Sequence, residues 1–280
     1  MLEKDEFEGW IRSSHTMFEI FDGRYDAYPL SALWVKEWFN SGSFGINKEH
    51  LGRISILLEN FAYEAYGVRG ELKEKIDREF KNFIKASFHE GKNENIGFAI
   101  APYLFTWNFQ RFKEYFKKKE DFNIEFYFKG LGVFLKSRIE RLESFRSKRL
   151  ISDQIENESI KTIFNEINSK LKEIGIENNE PVGTLKLLHV FAPYYFPLID
   201  NEMAKAIWGV LSSKRESLTS NSYLKWMSAL KSWLQNYIEV IEKVEKEYNS
   251  SILKLVDEGL YMMISVKQRA RVANLGIEVK

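Results

Sequence analysis

Apolar residues recur at three- and four-residue steps along most of the chain, and alternation with a period of two is hard to find. Residues 160–174 put Ile160, Ile163, Phe164, Ile167, Leu171 and Ile174 on one face of a helix. Residues 223–244 repeat the pattern with Tyr223, Trp226, Met227, Leu230, Trp233, Leu234, Tyr237, Ile241 and Val244. Leu135, Ile139 and Leu142 mark another helix, with Lys136, Arg138 and Arg141 around its remaining faces. The earlier stretches SALWVKEWF and ISILLENFAYEAY follow the same rule. Only FNIEFYF, 122–128, hints at strand alternation, and a helix suits it at least as well. The pattern predicts a mainly α protein.

Glycines at 42–45, 67–70, 91–97 and 130–132 predict loops between helices. The polar run RLISDQIENES, 149–159, is the expected junction between an N-terminal helical lobe, 1–150, and a C-terminal one, 151–280. With no Pro/Ser-rich linker and no internal repeat, the two lobes are expected to form one body.

Composition narrows the chemistry. Hydrophobic residues make up 44% and aromatics 15% of 280 residues, enough to bury a sizeable core. Cysteine is absent, which excludes disulfide partners, thiolate metal sites and thiol nucleophiles. His15, His50, His89 and His189 have no metal-ligand spacing, so neither a metal nor a cofactor is expected. No apolar run is long enough for a membrane span or a signal core, which predicts a cytoplasmic protein without a membrane partner. Abundant lysine and glutamate fit a heat-adapted source, while the many asparagines argue against one. The formal charge of +1 means that any basic surface must be local. Residues 111–149 are such a region, with 12 Lys/Arg against six Asp/Glu among phenylalanines. They could follow a phosphate backbone or simply be solvated helix faces.

One stretch has a distinct architecture: NNEPVGTLKLLHVFAPYYFPLID, 178–200. Pro181 and Gly183 break the preceding pattern, and Thr184 is placed to cap a short helix. Pro193 and Pro197 end that helix, because proline lacks an N–H and bars its predecessor from the α conformation. Asp200 then opens the next helix, with Met203, Ala204, Ile207, Trp208 and Leu211 on one face. Asp200 is either an ordinary N-cap or a carboxylate set at a helix mouth for chemistry. Lys186 is either solvated or a reactive amine.

PVGTLKLLHVF followed by FPLIDNEMAKAI resembles the helix-hairpin-helix DNA glycosylase superfamily, and LVDEGLYMMI, 255–264, is similar to a helix of its archaeal 8-oxoguanine branch. The resemblance covers roughly the last hundred residues. It implies a two-lobed helical fold and a DNA-binding, base-excision-type activity on a flipped-out base. It assigns Asp200 as the catalytic carboxylate and Lys186 as the amine that would add lyase activity. Gly183 and Thr184 would grip a phosphate, with Lys205 as a further basic contact. Asp257 and Tyr261 would line a base pocket. Trp107, with Asn108, Gln110 and Arg111, offers stacking and hydrogen-bonding groups that would suit such a pocket, in a segment whose Leu104, Trp107, Phe112 and Phe116 read more simply as core. Only Gly183 stands where the family carries several hairpin glycines, and Lys186 precedes Asp200 by 14 residues, short of the family spacing. Those departures motivate the alternative, a non-catalytic helical module that binds nucleic acid or protein.

Overall fold

The computed structural model describes residues 2–23, 26–66, 68–175, 178–211, 218–265, 275 and 277, without the side chains of 58–66, 208–211 and 265. In chain order the helices are α1 (Lys4–Phe21), α2 (Tyr28–Ser41), α3 (Lys48–Tyr66), α4 (Glu71–Ser87), α5 (Ile96–Trp107), α6 (Phe109–Lys118) and α7 (Ile124–Lys136). They continue with α8 (Ile139–Arg146), α9 (Asn157–Ile174), α10 (Pro181–Phe191), α11 (Asn201–Leu211), α12 (Ser220–Leu234), α13 (Ile238–Tyr248) and α14 (Ile252–Ser265). Two short strands, β1 (Phe44–Ile46) and β2 (Gly91–Asn93), pair antiparallel, Gly45 opposite Lys92. The protein is mainly α, and no described helix is long and apolar enough to cross a membrane.

The chain divides into two compact units. Unit 1 comprises residues 1–24, 141–166 and 184–280; unit 2 comprises 25–140 and 167–183. The run 149–159 therefore lies inside unit 1. There the Arg149 N–H donates to Asp153 Oδ2 at 2.7 Å and Lys231 Nζ to the Asp153 carbonyl at 2.6 Å, so its polar residues hold a loop together.

Unit 2 is built around α5, whose residues Ile96 to Thr106 are all buried. A helix apolar on every side belongs in an interior. It passes α7 closely: a Cβ on Gly97 would meet the Phe128 carbonyl oxygen at 2.0 Å, and one on Gly132 would meet Asn95 Oδ1 at the same distance. Asn95 is the N-cap of α5, its Oδ1 accepting from Gly97 N at 2.9 Å. Gly130–Gly132 thus lies within α7 and not in a loop, because a helix crossing this tight needs residues without side chains. The stretch 122–128 enters the same helix. Its rings Phe122, Tyr127 and Phe128 pack among Phe112, Tyr115 and Phe116.

Unit 1 packs α1 against α14 and α13, and α14 also meets α11. Every apolar position expected at 223–244 is buried. The single expected helix is interrupted by a tight turn at Gln235–Tyr237, so α12 and α13 run in sequence with Tyr237 at the break. There Tyr237 stacks on Phe7 at 4.1 Å between centroids and donates its hydroxyl to the Leu2 carbonyl. The 135–142 stretch is likewise divided, between α7 and α8 at Ser137 and Arg138. At the surface Arg12 bonds Glu8 and Glu247, Lys243 bonds Glu8 and Lys4 bonds Glu239, clasping α1 to α13.

Candidate functional site

α14 presents Lys254, Asp257, Glu258 and Tyr261 at the spacing i, i+3, i+4, i+7, which is one face of a helix. Its other positions, Ile252, Leu253, Leu255, Val256, Leu260 and Met262, are buried and apolar. The polar face is not the solvated one: Lys254 is 5% exposed and Glu258 3%. Buried charges need partners. Glu258 Oε2 lies 2.7 Å from His15 Nδ1 on α1, and Oε1 lies 3.1 Å from Lys254 Nζ. The Lys254 ammonium also sits 4.4 Å from the centre of the Phe18 ring. Phe18 meets the edge of Tyr261 at 6.2 Å between centroids.

The Asp257 carboxyl on this face has a raised pKa. It is pushed up to about 7, first by burial, then by the neighbouring Asp200 and Glu258 carboxylates, against a downward pull from Lys254 and Lys186. Asp257 on α14 thus lies within electrostatic reach of Asp200, ahead of α11, and of Lys186, on α10, two residues from separate stretches of sequence. Each is half-buried.

Asp200 is an N-cap. Its Oδ1 accepts from Met203 N at 2.6 Å, and its carbonyl accepts from Ala204 N at 2.8 Å. Its Oδ2 makes no hydrogen bond among the described residues. The cap fixes one oxygen and leaves the other for a further role. The approach to Asp200 is rigid. His189, fully buried at the end of α10, bonds the Phe196 carbonyl at 2.7 Å through Nδ1, and the Tyr223 hydroxyl donates to the Pro197 carbonyl at 3.0 Å.

α10 begins at Pro181, so Gly183 is inside its first turn and Thr184 does not cap it. Both are buried, Thr184 completely. A Cβ on Gly183 would meet Asn108 Nδ2 and Leu171 Cδ1 at 3.3 Å, so this glycine serves packing within unit 2. Trp107 belongs to unit 2, where its Nε1 donates to Asp26 Oδ1 at 2.9 Å. Asp257 and Tyr261 belong to unit 1. Lys205 is exposed and bonds Glu202 at 2.6 Å along α11. Trp208 and Leu211 have side chains outside the described set.

Sequence reasoning missed Lys254, Glu258 and His15. The signal was present in the helical spacing of charged positions within an otherwise apolar segment. It also missed Glu180 in unit 2, which is 2% exposed. Glu180 accepts from the Tyr115 hydroxyl at 2.7 Å and pairs with Arg111. Burial is the main cause raising the pKa of both Glu180 and Tyr115. Among the described residues no cluster of His, Asp and Glu could hold a metal ion. Searches for similar proteins found no family model, no curated protein and no solved structure that matches the chain.

Proposed function

We propose that the chain is a DNA-binding, base-excision-type protein, a DNA N-glycosylase that acts on a flipped-out base at the Asp200–Asp257 cluster. One observation carries the reading: the half-buried Asp257 lies within electrostatic reach of a second half-buried carboxyl, Asp200, and of Lys186. Cleaving a glycosidic bond needs a carboxylate to stabilise the cationic sugar and a group able to exchange a proton near neutral pH. Asp200, whose Oδ2 is unbonded among the described residues, takes the first role. Asp257, titrating near neutrality, takes the second, and in its protonated form can donate to an acceptor on the base edge. Tyr261, three to four positions further along the same face, supplies a ring for the base. Lys186 is the amine that would add lyase chemistry.

Incubation with duplexes carrying 8-oxoguanine, uracil or an alkylated base is expected to release free base. Asp200→Asn removes the charge while keeping a capping side chain, so it abolishes release and leaves the circular dichroism spectrum unchanged. Absence of release from every substrate overturns the enzyme reading.

The burial of Gly183 and Thr184 favours a second reading, a helical module that binds nucleic acid or protein without cleaving it. Binding to an oligonucleotide that weakens steeply with salt, without base release, distinguishes it from the first.

A further inference from the structure

The inward face of α7 is formed by Tyr127, Phe128, Leu131, Gly132 and Leu135, all buried. Its opposite face carries Phe126, Lys129, Val133 and Lys136, at steps of three and four residues. Phe126 is 78% exposed and Val133 72%, the two most exposed large apolar side chains among the described residues. A large apolar side chain left standing in water forgoes the gain of burial, and these two lie two turns apart on one exposed stripe.

The charge on the stripe narrows what that is. From Phe126 to Ile139 the sequence has Lys129, Lys136 and Arg138 and no acid. Glu125 pairs with Lys129 at 2.5 Å, and Lys136 makes no ion pair among the described residues. Arg138 lies 5.3 Å from the centre of the Phe134 ring at the end of the same helix. A second copy of this chain laid against the stripe would set lysine beside lysine, which opposes self-pairing. A lipid surface demands a broader apolar face than two side chains. An exposed aromatic ring interleaved with cations is the arrangement that stacks an unpaired base while neutralising the phosphates on either side.

We propose that the outward stripe of α7, with Phe126 as its stacking platform and Lys129 and Lys136 as its phosphate contacts, is a binding surface for single-stranded nucleic acid. The assignment does not depend on Asp200: the stripe can bind a strand whether or not the unit 1 cluster cleaves a base.

Fluorescence anisotropy of a labelled oligothymidylate at low salt tests it on the full chain. The wild type is expected to bind. Phe126→Ala is expected to bind about ten-fold more weakly, and Phe126→Trp to restore affinity. Lys136→Glu is expected to weaken binding and reduce the slope of log affinity against log salt by about 0.7 or more. Phe126 and Lys136 are exposed, so thermal melts of the three variants should match the wild type. Oligouridylate in place of oligothymidylate separates RNA from DNA, and binding of either supports the surface. Phe126→Ala and Lys136→Glu binding as tightly as the wild type overturns it. So does a wild type that ignores both strands at low salt, that binds anionic phosphatidylserine vesicles instead, or that forms a dimer abolished by Phe126→Ala.

Discussion

His15 and Glu258, 243 positions apart, meet at 2.7 Å and join the first helix to the last long one. The hydrogen bond to Glu258 raises the His15 pKa, against an opposing effect of burial. A histidine whose folded pKa exceeds its unfolded value of about 6.5 gives its full stabilisation below that value. The contribution is lost as pH rises through the folded pKa. Urea denaturation is therefore expected to show the wild type losing stability more steeply than His15→Gln as pH rises above about 6.5.

The other partner of the clasp is more sensitive. Glu258→Gln leaves the buried Lys254 ammonium facing an uncharged amide. Removing one member of a buried ion pair costs about 3–5 kcal/mol, so the variant should melt well below the wild type. Lys4→Ala, which removes an exposed pair with Glu239, should fall within about 1 kcal/mol of the wild type by the same measurement.

Asp257 should behave in the opposite sense to an ordinary acidic residue. Its pKa is raised, so the folded protein binds a proton that the unfolded chain releases, and stability falls as pH climbs from about 4 to about 7. Asp257→Asn is expected to be more stable than the wild type at pH 8, by about 1–3 kcal/mol, and less dependent on pH below that. A gain in stability with loss of activity is the usual mark of a group held at a cost for function. Equilibrium denaturation across pH measures it. A loss of stability at pH 8 would contradict the raised pKa.

Neighbouring glycines in α7 should respond differently to the same substitution. Gly132→Ala drives a methyl into Asn95 Oδ1, displacing the cap of α5, and is expected to cost about 2–4 kcal/mol. Gly130→Ala has Ile174 Cγ2 as its nearest neighbour, at 3.8 Å, and should stabilise the helix by about 0.5–1 kcal/mol. Thermal denaturation of the two single variants is sufficient.

These glycines also show where sequence pattern stops being informative. The apolar stripes of α9 and of 223–244 were legible, because a stripe at helical spacing can only be satisfied by burial on one side. Gly130 and Gly132 read as a loop, because the reason for Gly132 is Asn95, some 37 positions earlier and on another helix. The turn at Gln235–Tyr237 was invisible for a related reason: the apolar period continues through it. In the candidate site, Asp200 and Asp257 were legible as helix-start and helix-face carboxyls. Their mutual influence was not, since it depends on how α11 meets α14. His15 and Glu258 escaped notice individually because a lone charged residue on a helix reads as solvated until its partner, two hundred residues away, is known.

Glu180 makes a comparable prediction in unit 2. Glu180→Ala removes the acceptor of Tyr115 and the partner of Arg111 inside a buried cluster, and should destabilise by about 3 kcal/mol. Glu180→Gln retains an acceptor for Tyr115 and should lose less, which chemical denaturation of both variants would resolve.

The most direct test of the Asp200–Asp257 cluster is a carbon-13 carboxyl NMR titration of Asp257 in the wild type and in Asp200→Asn. The wild-type midpoint is expected near pH 7, with the variant midpoint clearly lower because a negative neighbour has been removed. A midpoint near pH 4 in the wild type, or one that Asp200→Asn leaves unmoved, would show that the two carboxyls do not share a site.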